Sequence, residues 1–153
     1  IITNIGGTSA DMGNAVFVAA MLELPTMAFF TKMSEKINCG TLIKFSILMF
    51  CVKHALTYFA TNMIMIYLAQ VCQMFAYALF VPASVYYVNE KIAVADRVKG
   101  QSLVTTSMTL SGVFANFAGG IMLDALGVGH VLLAGVILSI VGAVIVILTT
   151  EKV

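Results

Sequence analysis

The sequence predicts an all-α membrane protein built from five antiparallel transmembrane helices. Three observations carry that prediction: an apolar composition, five apolar runs of membrane-spanning length, and a one-sided distribution of basic residues. Of the 153 residues 61% are hydrophobic and only 10% charged, with a mean hydropathy of +1.04. Soluble domains are about half apolar and about a quarter charged, so this chain has too little polar surface to coat a water-soluble core. A net charge of +1 argues against nucleic acid or an acidic partner.

A hydrocarbon core of about 30 Å takes about 20 apolar residues per helix. Runs of that order lie at about 12–30, 42–60, 63–88, 103–123 and 131–149. The third is long enough to tilt or to project past the membrane surface. Short polar connections, Lys32–Thr41, Thr61-Asn62, Asn89–Gly100 and Asp124–His130, separate them and dictate an up-and-down bundle. An alternating path puts Lys32, Lys36, Lys44, Lys91, Arg97, Lys99 and Lys152 on one side of the membrane. The opposite side has Asp11, Asp124 and His130 but neither lysine nor arginine. The positive-inside rule makes the basic side, and with it the C-terminus, cytoplasmic in a multi-pass protein of the cell membrane. The eighth basic residue, Lys53, falls inside the second span. Strands are not expected, because the apolar runs are too long and period-two alternation is absent.

The cysteines Cys39, Cys51 and Cys72 form no CxxC pair and read as free thiols; neither a disulfide framework nor a metal site is expected. The chain opens on Ile1 and a Gly-rich stretch without a basic region or small-residue cleavage site, which reads as a fragment boundary and not as a signal peptide. Enzyme signatures such as HExxH, GxSxG or a Walker loop are missing from the sequence, and no cofactor is expected.

Glu23 is the most informative position. It sits mid-span in Met21-Leu22-Glu23-Leu24-Pro25, where an ionisable group is expensive and by default functional. Pro25 frees a backbone carbonyl close by. Desolvation disfavours the charged carboxylate, which makes Glu23 the candidate to load and release a proton; the alternative is a neutral or paired glutamate that holds helices together. In the second span, Lys53 reads as a side chain snorkelling to the outer interface, with pairing to a carboxylate as the other option. His54, one turn from Tyr58, is a weaker proton-relay candidate.

In the third span, Gln70, Gln73, Tyr77, Phe80, Ser84 and Tyr87 recur at steps of three and four, which puts them on one helix face. Such a stripe suits a wet cavity for an uncharged or amphipathic solute, or else interhelical hydrogen bonding worth about 0.6 kcal/mol per bond. Pro82 interrupts this helix as Pro25 does the first, a pattern found at transporter sites and hinges. The fourth span has Ser107, Ser111, Gly112, Ala115, Asn116, Gly119 and Gly120. Its small residues read as a packing face, and Asn116, costly in lipid, as a residue turned to the bundle. The fifth span is a supporting helix whose packing seam is Gly135, Ser139 and Ala143.

Three stretches resemble a known family. Glu23-Leu24-Pro25, with Phe29-Phe30 and the basic Lys32–Lys36 turn, is similar to the eighth helix of the major facilitator superfamily. Tyr86-Tyr87-Val88-Asn89-Glu90-Lys91 and Asp96-Arg97-Val98-Lys99-Gly100-Gln101 resemble its junction between helices ten and eleven. Gly119-Gly120-Ile121-Met122-Leu123-Asp124-Ala125-Leu126-Gly127 resembles the outer end of helix eleven. The nearest branch is that of the oligosaccharide, nucleoside and phenylpropionate proton symporters. The turn after the first span departs from the family's glycine- and arginine-rich loop, with lysines and one glycine, Gly40.

The resemblance implies that the spans are helices eight to twelve, that residues 1–153 form part of a C-terminal bundle, and that the N-terminal half is a missing partner. It implies a secondary transporter of a small organic solute, coupled to protons, with the lipid bilayer, solute and proton as partners. Glu23 would then couple protons, and Gln70, Gln73, Tyr77, Phe80, Ser84 and Asn116 would contact solute. A transporter-like sensor, a drug-efflux antiporter on the same scaffold and a non-transporting membrane subunit are the competing readings.

Overall fold

In a computed structural model, residues 2–151 are described, and every described element is helical. The elements are α1 (Ser9–Ser34), α2 (Cys39–Tyr58), α3 (Met63–Lys91), α4 (Arg97–Leu126) and α5 (Val128–Thr149), with single 3-10 turns at Ile2–Ile5 and Val94–Asp96. All five helices are long and apolar enough to cross a membrane. The shortest, α2, has 20 residues, about 30 Å at 1.5 Å per residue, which matches the hydrocarbon thickness. Lys152 lies outside the described residues.

Local chemistry sets where the helices begin. Thr8 and Asp11 form a capping box at α1: the Thr8 N–H donates to Asp11 Oδ2 at 2.7 Å, and the Asp11 N–H to Thr8 Oγ1 at 3.3 Å. Asn38 and Asn62 cap α2 and α3 by accepting from the Thr41 and Met65 N–H groups at 2.9 and 3.1 Å. These caps start the helices in the polar connections. Helical hydrogen bonding therefore outruns the apolar runs: α1 begins at Ser9, and α4 at Arg97, well before Leu103. Between α4 and α5 only Gly127 intervenes. Its φ of +81° is open to glycine but strained for other residues, and its N–H closes α4 on Leu123 O at 3.0 Å.

Helix α3 is the centre of the packing, with α1 and α2 against it and α5 against α2. Ala69, Ala76 and Ala83, seven residues apart, are fully buried along α3, and such small side chains let neighbouring backbones approach closely. Where α1, α2 and α3 meet, Phe30, Leu42, Ile43, Leu79 and Ala83 form the hydrophobic cluster, and Phe30 meets Tyr86 edge-on at 5.3 Å. The small-residue seam of α5 faces α2: Gly135 lies beside His54, the Ser139 carbonyl accepts from Cys51 Sγ at 3.2 Å, and Ala143 is buried.

Helix α4 stands apart. Its one buried residue is Gly100, packed against Val88 and Ile92 where α4 leaves α3. Along the rest of α4, Leu103, Leu110, Phe114 and Phe117 are exposed. Added Cβ atoms at Gly112, Gly119 and Gly120 would meet nothing within 4 Å, so the small-residue face expected to pack is bare within these residues.

Candidate functional site

The mid-membrane polar groups come from three helices. Glu23 is about 21 Å from the Ser9 end of α1 and about 16 Å from its Ser34 end, by residue count along the axis. It is half-buried. The ion pairs among the described residues, Lys91–Glu151 and Lys99–Asp96, leave it out. Helix α1 continues through Pro25, whose missing N–H leaves the Met21 carbonyl without its intrahelical donor. One turn further on, Thr26 is buried and its hydroxyl turns back to the Leu22 carbonyl at 3.5 Å.

Lys53 of α2 departs from the snorkelling expectation. Its Nζ donates to Gln73 Oε1 of α3 at 2.5 Å, in a part-buried contact. The physical reason is reach. A lysine stem in the outer half of a span can stretch to the interface or bend inward, and here an amide oxygen on the neighbouring helix offers the ammonium a partner that lipid does not. Lys53 and Gln73 thus join an ammonium and an amide between α2 and α3. The sequence held the signal for Lys53 in its position inside an apolar run, but not the direction of its stem.

His54 sits at the α2–α5 contact. It stacks on Phe50 with centroids 6.4 Å apart, and its Nδ1 is buried without a partner among the described residues.

The α3 stripe resolves into two lines. Gln73, Phe80 and Tyr87, seven apart, turn towards α2 and α5. Gln73 accepts from Lys53, Phe80 meets Phe50 edge-on at 6.3 Å, and Tyr87 Oη accepts from the Glu151 N–H at 3.3 Å. Gln70, Tyr77 and Ser84 form the second line, three residues earlier and so about 60° away around the axis. Gln70 is half-buried and Tyr77 exposed, while Ser84 is buried with its hydroxyl on the Val81 carbonyl at 2.8 Å. Phe80 and Ser84 are therefore packed between helices, whereas Tyr77 is open. On α4, Asn116 is exposed, and its Nδ2 donates to the Gly112 carbonyl of its own helix at 2.8 Å.

The arrangement provides a carboxylate in the middle of α1, a lysine–glutamine bond between α2 and α3, and amide and phenol groups on the central helix. Such a set can exchange a proton and hydrogen-bond a polar solute. No curated protein and no solved structure matches the chain. A family model does: the one described as Major Facilitator Superfamily matches residues 1–153.

Proposed function

The chain belongs to the major facilitator superfamily and is a multi-pass membrane protein of a transporter family, and from this we propose that it is part of a proton symporter for a small organic solute. In this reading it supplies helices eight to twelve of a C-terminal half, with α1, α3 and α4 lining the central cavity and an N-terminal half completing it. The basic connections face the cytoplasm, in the cell membrane. The sequence motifs around Glu23, Asn89–Gln101 and Gly119–Gly127 favour the branch of oligosaccharide, nucleoside and phenylpropionate symporters.

The observation that carries the proposal is the half-buried Glu23 carboxylate in the middle of α1, which enters no ion pair among the described residues. Glu23 takes the coupling proton. Its ionised form is costly in the span and its neutral form is not, so the proton favours one access state over the other. Gln70, Tyr77 and Asn116 contact solute. Gln73 acts through Lys53, and Phe80 and Ser84 form the wall behind.

Glu23→Gln in the full-length protein tests this. Accumulation of solute driven by a pH gradient is expected to vanish, while counterflow exchange of the same solute persists. Uphill uptake that survives the substitution would remove Glu23 from coupling.

A further inference from the structure

Away from the first and last turns of the five helices, the acidic and basic side chains are Glu23, Lys44, Lys53 and His54. Three of them are accounted for. Lys44 lies about 8 Å from the start of α2, within a lysine stem's reach of the interface. Lys53 donates to Gln73 between α2 and α3, and His54 stacks on Phe50 where α2 meets α5. Glu23 is half-buried in the middle of α1 and enters no ion pair among the described residues. The polar side chains left open or half-open on α3 and α4, Gln70, Tyr77 and Asn116, are neutral. At mid-depth the described helices therefore offer a solute one carboxyl, two amides and a phenol, and no free cation.

That inventory selects among solutes by charge. An anion would find no counter-ion here and, with Glu23 ionised, a like charge; an unpaired anion inside a span is costly. A cation could pair with ionised Glu23, but a carboxyl that holds the coupling proton has no charge left to offer it. An uncharged solute meets neither obstacle. Its hydroxyl and amide groups can donate to and accept from Gln70, Tyr77 and Asn116 whatever the state of Glu23.

We propose that the solute is uncharged, a polyhydroxy or amide-bearing molecule of the sugar or nucleoside kind, and not an organic anion. This rests on the reading of Glu23 as the proton carrier and of the α3 and α4 groups as solute contacts.

The charge of the cavity in the full-length protein tests it. Tyr77→Cys is placed in a protein freed of its native cysteines and labelled with methanethiosulfonates that carry an ammonium, a hydroxyl or a sulfonate group. Each rate is divided by the rate of the same reagent with a free thiol in water. Glu23→Gln in the same protein stands for the proton-loaded form, and there the three rates are expected to agree within about tenfold, the least enrichment that a charged cleft gives. With Glu23 intact, the sulfonate is expected never to be the fastest. Preference for the sulfonate by about tenfold or more in either protein overturns the proposal, since the N-terminal half would then supply a cation for an anionic solute. Preference of that size for the ammonium in Glu23→Gln overturns it too, by revealing a second carboxylate and a cationic solute. Protection by solutes is read in matched pairs, glucose with glucuronate and uridine with uridine 5′-monophosphate. The uncharged member is expected to slow labelling, and protection by the charged member alone overturns the proposal. Gln70→Cys, two turns away on the same face, repeats the measurement should Tyr77→Cys not fold. No labelling at either position would show a packed face and overturn the proposal together with the solute contacts. Proton coupling is judged separately, by uphill uptake in Glu23→Gln, so the two failures are distinct.

Discussion

Lys53 shows at the scale of one residue how the membrane changes the value of a hydrogen bond. A lysine in a span costs about 2.5–3.5 kcal/mol at the helix centre, and here Gln73 Oε1 is the acceptor that offsets part of that cost. The two ends of this bond are not equivalent. Removing the amide strands an ammonium, whereas removing the ammonium strands only a neutral amide. Gln73→Leu is therefore expected to lower the unfolding free energy by about 2 kcal/mol and Lys53→Met by less than about 1 kcal/mol. The double substitution should resemble Lys53→Met alone, giving a coupled cycle. Denaturant unfolding of the four proteins in one detergent measures this, and strictly additive losses would show that the bond does not form. The sequence made it plain that Lys53 lies inside a span. It did not reveal the partner, because the stem is long enough for either direction and only the placement of α3 beside α2 decides between them.

At the scale of elements, the end of α3 is fastened to the segment after α5. Lys91 pairs with Glu151, and the Glu151 N–H donates to Tyr87 Oη. The Lys91 ammonium beside it holds the exposed Glu151 carboxyl below its ordinary value. A carboxylate lowered in the folded state contributes its stabilisation above the ordinary glutamate value of about 4.3 and loses it as pH falls through the lower folded value. The tether should thus be constant between pH 5 and 8 (roughly) and loosen only below about pH 4.3. Spin labels at the end of α3 and after α5 should report a fixed distance over the neutral range. In Glu151→Gln the loosened distance should appear already at pH 7, and a transition near neutral pH in wild type would assign the movement to another group. The elements themselves were legible in the sequence, since apolar run lengths gave all five helices, but their caps at Thr8, Asn38 and Asn62 came only with the structure. The α3 stripe was legible as a face but not as two lines. A residue and its neighbour three positions on differ by about 60° around the helix, enough for Gln73, Phe80 and Tyr87 to meet α2 and α5 while Tyr77 stays open.

On the scale of the whole molecule, α4 is the element whose sequence and surroundings disagree. Its small residues, Ser107, Ser111, Ala115 and Gly119 at steps of four, are those that let helices approach closely in membranes. Yet Gly112, Gly119 and Gly120 face open space within these residues. Lipid is a poor occupant for that face. Ser111 and one Asn116 N–H donate to the Ser107 and Gly112 carbonyls at 2.7 and 2.8 Å, but the second Asn116 N–H and its side-chain carbonyl would remain without partners in hydrocarbon. A helix from the proposed N-terminal half would supply both close packing and a polar partner. The glycines test this by the size of what replaces them. With nothing packed on α4, Gly112→Leu and Gly119→Leu should be neutral or gain up to about 1 kcal/mol from helix propensity. With a helix packed there, each should cost about 1–3 kcal/mol through overpacking and should lower transport in parallel. The second outcome is expected in the full-length protein. Gly100→Ala is the internal control, since its Cβ would come within 2.5 Å of Ile92 Cδ1 and 2.8 Å of Val88 Cγ1 inside this chain. It should destabilise whether or not a partner is present. Unfolding in which Gly100→Ala loses stability while both leucine variants do not would assign the α4 face to lipid and remove it from the central cavity.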